Sequence, residues 1–183
     1  MANNKTRYAV LGMLSVEPMS GYDIGREMKA SINYFWSESD GQLYPTLKTL
    51  YKEGKISMQE ESSAGGRTRK IYQLTQVGRD ELKKWLREPM EKITIRDELL
   101  LKLFFGANVP PTMNIARIEE SRMRAQARVA EFEEIKAEIK REFPGSKHLT
   151  YGLLTLDYGI QHAAATLKWC DEAIKVLKKV GKK

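Results

Sequence analysis

Six side chains between Gln42 and Lys52 could read a nucleic-acid duplex: Gln42, Tyr44, Pro45, Lys48, Thr49 and Lys52. A glutamine can form paired hydrogen bonds to a base edge, a threonine offers a hydroxyl and a methyl, and a lysine neutralises phosphate. The stretch from Gly41 to Lys52 holds no Asp or Glu, although 30% of the chain is charged. At about 100° per residue, Leu43, Leu47 and Leu50 fall in one stripe opposite these six, so the segment reads as a helix with one oily face. An ordinary amphipathic surface helix with a lysine-rich exterior shows the same pattern, and the segment alone leaves both readings open.

A second basic group follows. From Lys55 the period shortens to two, with Ile56 and Met58 alternating with polar neighbours; SSAGG must turn, and Ile71, Tyr72 and Leu74 return as a second strand. The tip and returning arm carry Gly65, Gly66, Arg67, Arg69 and Lys70 with no acid among them, a loop able to follow a phosphate backbone or enter a minor groove. Charge that merely keeps a hairpin soluble is the plainer explanation. After three helices, however, a basic hairpin is the wing of a winged helix, and the combination says more than either part.

Other chemistry is thinly represented. His148 and His162 are the only histidines and have no cysteine at metal-ligand spacing, so neither a metal nor a cofactor is expected. Cys170 falls on a leucine stripe and reads as a small buried hydrophobe; as the sole cysteine it excludes an internal disulfide. Neither phosphate-cradling glycine motif occurs, so an enzyme is the weakest of the function classes. Phe35, Trp36, Tyr151, Tyr158, His162 and Trp169 could line a site for a flat aromatic effector, since aromatic walls with one polar group suit a phenol. Packing between domains or between two copies explains them as well.

The elements that position these groups can be traced along the chain. At 183 residues the chain can bury a real core, and its net charge of +7, shared nearly evenly between the two halves, favours an anionic partner only where it concentrates locally. No apolar run approaches the roughly 20 residues of a membrane span, and a cytoplasmic protein is expected. A first helix has core residues from Tyr8 to Leu14. Ser20 with Asp23 three residues on forms an acidic capping box for a second helix whose inward stripe is Ile24, Met28 and Ile32. Ser39 or Asp40 can start the third helix and Gly54 end it, while Pro45 must sit near the first turn or bend the helix. Thr75 caps a fourth helix, with Val77, Leu82, Trp85 and Leu86 directed inward.

The expected divisions are a winged-helix domain over 1–88, a linker over 89–96 and a helical domain over 97–183. DELLLKLFFG is apolar almost all round and must be buried on more than one side. A long helix from about Thr112 to Phe143 keeps alternating three- and four-residue steps, interrupted by Arg122 and Lys136, which argues for a bundle over a free coiled coil. A last helix repeats the spacing at Leu156, Ile160, Ala163, Leu167, Cys170, Ile174 and Leu177 and should pack antiparallel to it. Tyr151, Tyr158, His162 and Trp169 lie within about 40° of one another on its opposite face, which suits a second copy of the chain. The fold class is therefore mainly α with a small β-hairpin: a winged helix-turn-helix followed by an antiparallel helical dimerisation domain.

Four motifs in order, MSGYDI, GQLYPTLKTLYKEGKI, RTRKIYQLTQVGRDELKKWL and DELLLKLFFG, resemble the PadR family of bacterial transcriptional regulators over about Thr6 to Phe105. The remaining helices resemble that family's longer C-terminal dimerisation domain. The resemblance implies a homodimer that binds a double-stranded operator, with repression relieved by a small molecule. It places the recognition helix at Gln42, Tyr44, Pro45, Thr46, Lys48 and Thr49, the wing at Arg67, Arg69 and Lys70, and a phosphate contact at Tyr22. A winged helix that binds protein instead of DNA is the alternative, because fold alone does not decide function.

Overall fold

Ser20 opens the second helix as its spacing to Asp23 predicts: its hydroxyl accepts from the Asp23 N–H at 3.2 Å and donates to the Asp23 carboxylate at 2.8 Å. In this computed structural model, which describes residues 5–37, 39–62, 68–92, 96–142 and 148–180, the chain divides into two compact units, Met1–Lys92 and Ile93–Lys183.

The first unit runs α1 (Thr6–Val16), β1 (Met19–Ser20), α2 (Gly21–Ser31), α3 (Asp40–Lys52), β2 (Ile56–Ser62), β3 (Thr68–Leu74) and α4 (Gln76–Arg87). The hairpin is present, and a third strand joins it. Met19 and the helix cap Ser20 pair antiparallel with Tyr72 and Ile71, making β3 the centre of a sheet ordered β1-β3-β2. Leu43, Leu47 and Leu50 are 3%, 1% and 0% exposed and meet Val10, Leu11, Ile24 and Ile56 in one core. Full burial of such side chains contributes about 1.5–3 kcal/mol each.

Gly54 ends α3 in the left-handed region at φ +68°. Lys55 N–H bonds back to the Leu50 carbonyl and Gly54 N–H to that of Tyr51, the paired bonds of a Schellman turn. The turn delivers the chain to a tight junction. Thr75 donates its hydroxyl to the Lys55 carbonyl at 2.8 Å and its N–H to the same oxygen at 3.1 Å, while capping α4 through Gly78. Arg7 bridges Glu53 and Glu81 at 2.6 and 2.7 Å, and Lys55 reaches Glu81 at 2.5 Å, so α1, the end of α3 and α4 share one ionic cluster. On α4, Leu82 is buried as expected, but Val77 and Leu86 are exposed; Trp85 instead stacks on Tyr8, centroids 4.4 Å apart.

The second unit contains α5 (Glu98–Phe104), a short 3-10 turn (Gly106–Asn108), α6 (Pro111–Glu142) and α7 (Leu149–Val180). The two long helices run antiparallel, since Arg122 meets Asp171 at 2.6 Å, Phe132 lies over Gly159, and Lys136 faces Asp157 at 3.9 Å. The two charges interrupting the α6 stripe thus each find a carboxylate on α7. Ile118, Ala125 and Phe132, spaced by seven, form the buried seam with Leu156, Ile160, Ala163, Cys170 and Ile174. Phe143 lies outside the described residues. The expectation for α5 fails within a single chain: Leu99 and Leu103 pack on the seam, but Leu100, Leu101, Phe104 and Phe105 are 51%, 60%, 82% and 58% exposed.

Candidate nucleic-acid interface

Burial of the leucine stripe turns the opposite side of α3 outward. Gln42, Tyr44, Pro45, Lys48, Thr49 and Lys52 are all exposed, and among the described residues Lys48 and Lys52 have no salt-bridge partner. Pro45 sits inside the helix in its second turn, where it supplies no N–H to the Gly41 carbonyl. Thr49 donates its hydroxyl to the Pro45 carbonyl at 3.0 Å.

Thr46 does not belong with this set. It is 5% exposed and its hydroxyl is spent on the Gln42 carbonyl at 2.7 Å. The helical wheel carries the signal, because Thr46 stands about 60° from Leu43 and about 160° from Lys48.

The N-terminus of α2 flanks α3. Tyr22 is 69% exposed there, and the preceding Gly21 packs on the Tyr44 ring. Tyr72, on the central strand, has its phenol pushed up by burial and secondarily by Tyr44.

The hairpin is less cationic than its returning arm suggests. Arg67 and the glycines at the tip lie outside the described residues. Lys70 is exposed but stands directly across from Glu60, and Arg69 stands across from Glu61. Arg69 turns away from that partner as well: its guanidinium donates to Ser20 Oγ at 3.0 Å and pairs with the Asp23 carboxylate. Asp23 is held below the usual carboxylate range by the Ser20 hydrogen bond, with the Arg69 and Arg26 charges adding to it. The Ser20–Asp23 pair is the capping box read from the sequence, but sequence alone carries no sign of the third member, since Arg69 lies 46 and 49 positions from Asp23 and Ser20.

The aromatic set divides between the two units. Phe35 and Trp36 line a shallow apolar cleft of about 150 Å³ with Tyr8, Ile32, Trp85 and Lys5. In the second unit, Tyr158 and His162 stack at 6.2 Å, Tyr151 is 72% exposed, and Trp169 is half-buried against Ile118 and Cys170. Trp169 therefore leaves the outward face on which its spacing places it. Burial raises the Cys170 thiol pKa. Among the described residues, no three His, Cys, Asp or Glu side chains could hold a metal ion, and no helix is long and apolar enough to cross a membrane.

Residues 10–84 match the transcriptional regulator PadR-like family, and residues 95–178 match the family described as virulence activator alpha C-term. The negative transcriptional regulator PadR of Bacillus subtilis is 39% identical over 101 residues, which are 54% of this chain and 55% of that protein. The match spans about half the length of the curated relatives. The crystal structure of Bacillus subtilis PadR in complex with operator DNA superposes with a TM-score of 0.83 at 25% identity, covering 94% of this chain and 98% of that one. A second structure of the same protein, with p-coumaric acid, shares the fold at 24% identity and a TM-score of 0.78, covering 97% and 98%. The Vibrio cholerae virulence activator AphA gives a TM-score of 0.77 at 28% identity, covering 95% and 98%.

Proposed function

We propose, from the premise that this chain belongs to the PadR-like transcriptional regulators, that it binds a two-fold-related operator as a homodimer in the cytoplasm and represses transcription until a small aromatic effector releases it. The observation that carries the reading is the outer face of α3 from Gly41 to Lys52, which holds no Asp or Glu and on which, among the described residues, Lys48 and Lys52 have no salt-bridge partner above a buried leucine stripe. A helix of this kind reads a major groove with its polar side chains while its lysines and the adjacent hairpin meet phosphates. The division of labour follows the two units, residues 1–88 for DNA and 97–183 for pairing. Three exposed apolar side chains on α5 and a fourth, Phe105, just past its end support pairing, because an isolated chain rarely leaves so contiguous an apolar surface in water.

Titrating labelled duplex from the chain's own promoter tests the first half. The affinity should fall steeply between about 50 and 200 mM salt, in proportion to the phosphates neutralised. No duplex binding at any salt would remove it. The alternative, a winged helix that docks on protein, draws support from Glu60 and Glu61 standing opposite Lys70 and Arg69, which leaves the described part of the hairpin nearly neutral.

Effector release is supported by the aromatic cleft at Phe35 and Trp36, whose apolar walls suit a flat ring, while its one lysine, Lys5, is paired with Glu91 at 2.8 Å and would have to exchange that partner for an acid. The aromatic acid seen with the Bacillus protein is a natural first probe. Tryptophan fluorescence should quench on binding such a compound; an unchanged signal across a broad panel, with operator binding intact, counts against the effector.

A further inference from the structure

Arg69 would ordinarily be assigned to the DNA backbone as a wing cation, yet its guanidinium is engaged at the start of α2, although 52% of the side chain stays exposed. Its Nη2 donates to Ser20 Oγ at 3.0 Å and to Asp23 Oδ2. Ser20 Oγ in turn donates to Asp23 Oδ2 at 2.8 Å and accepts the Asp23 N–H at 3.2 Å, so its hydrogen and its lone pairs are all committed. The strand register makes room for this. Ser20 pairs with Ile71, and Arg69 stands two residues beyond, on the same face of β3, just past the end of β1. Among the described residues, the other charges around the carboxylate are Arg26, 3.7 Å from Asp23 and 3.1 Å from Glu27, and Glu61, which faces Arg69 from β2. The contacts continue to α3, because Gly21, adjoining Ser20, packs on the Tyr44 ring and on Leu47.

We propose that Arg69 is a positioning residue rather than a phosphate contact: with Ser20 and Asp23 it ties the hairpin to the start of α2, and through Gly21 it fixes the wing relative to α3. This rests on the DNA-binding reading for its consequence, though not for its geometry. A strut and a phosphate contact differ in a measurable way. Removing a phosphate contact lowers the salt slope by about 0.9, whereas removing a strut weakens binding with the slope intact. The strut also reverses the ordinary sign for Asp23. Deleting a carboxylate beside a DNA-binding surface should tighten binding electrostatically, but here it frees Arg69 and loosens the wing.

The test compares the full chain with Arg69→Met, Asp23→Asn and the double variant, measuring affinity for promoter duplex across a salt series. The expected result is binding weaker on the order of threefold to tenfold in each single variant, an unchanged salt slope, and a double variant no weaker than either. A slope reduced by about one unit per protomer in Arg69→Met, or tighter binding by Asp23→Asn, overturns the proposal. Amide hydrogen exchange on the DNA-free protein reads the tie directly. Both variants should exchange faster at Met19, Ser20, Ile71 and Tyr72, and unchanged protection there also overturns it. Absence of salt-dependent duplex binding by the unaltered chain would sink the DNA reading, and the exchange measurement would still decide the tie.

Discussion

Gly21 and Tyr44 pack so closely that a methyl group at Gly21 would stand 2.9 Å from Tyr44 Cε1 and 3.2 Å from Leu47 Cδ1. The start of α2 therefore sets the pose of an outward-facing side chain on α3. Gly21→Ala should push the ring aside and cost about 1 kcal/mol of stability, as an overpacked contact does. Operator affinity should fall by more than that loss explains, read by thermal unfolding beside duplex titration; unchanged affinity would show that the Tyr44 pose is immaterial.

Lys48 and Gln42 stand on the same exposed face but should fail differently. Lys48→Ala is expected to weaken binding to all duplexes alike and lower the salt slope by about one unit per protomer, as loss of one phosphate contact in each copy does. Gln42→Ala should narrow the gap between operator and unrelated sequence at one base position, by about 1–3 kcal/mol. Competition titrations with point-changed operators separate the two, and identical behaviour of both variants would argue against this arrangement of α3.

Among the described residues of the first unit, Gly78 is the glycine whose Cβ would meet the closest atom. A Cβ there would lie 2.1 Å from the Lys55 carbonyl oxygen, which is backbone and already holds Thr75. Gly78→Ala should cost about 2–4 kcal/mol, and with it roughly 10–20 °C of melting temperature. Gly12, on α1 with nothing within 4 Å of its Cβ position, is the control. Gly12→Ala should hold or raise stability by up to about 1 kcal/mol, because alanine is the better helix former.

Asp23 gives stability an acid limb of known sign. Its folded pKa is lowered from 3.8, so the stability its ionised form contributes is present above that value and lost as the pH falls through it toward the lowered one. Asp23→Asn removes this contribution and should narrow its stability difference from the unaltered chain between neutral pH and about pH 3. Melting curves across that range check it. A difference constant with pH would mean that the carboxylate is not ionised against Ser20 and Arg69.

The exposed apolar surface of α5 predicts the outcome of charging it. Leu101→Asp with Phe104→Asp touches side chains that are 60% and 82% exposed, so the single-chain fold should survive. Sedimentation should show monomers, with operator affinity falling steeply because two linked half-sites become one. Dimers that persist would place pairing elsewhere.

Much of this arrangement is legible before any coordinates. The leucine stripe of α3, the Ser20 capping box and the Gly54 terminus follow from spacing, because each depends on neighbours within one or two helical turns, and the antiparallel pair α6 and α7 follows from two matching apolar stripes joined by one short turn. What spacing missed is long-range. The tie from Arg69 to Asp23 crosses 46 positions, and the two-residue β1 is too short to carry a period of its own. Val77 and Leu86 turned outward because Leu82 and Trp85 already fill the inward side of α4, and the apolar run of α5 cannot by itself say which chain covers it. Thr46 is the one site residue that closer geometry would have removed, since its wheel position lies nearer the leucines than the lysines.

The junction where Lys55, Thr75 and Gly78 converge acts as the fulcrum of a lever. From it the seven residues of β2 reach outward about 20 Å at the usual rise of a strand. A tilt of 10° at that fulcrum would carry the far end of the arm sideways by about 3–4 Å, more than half the roughly 6 Å width of a minor groove. If the hairpin meets the duplex as proposed, substitutions buried under its foot would shift operator preference while touching no nucleotide.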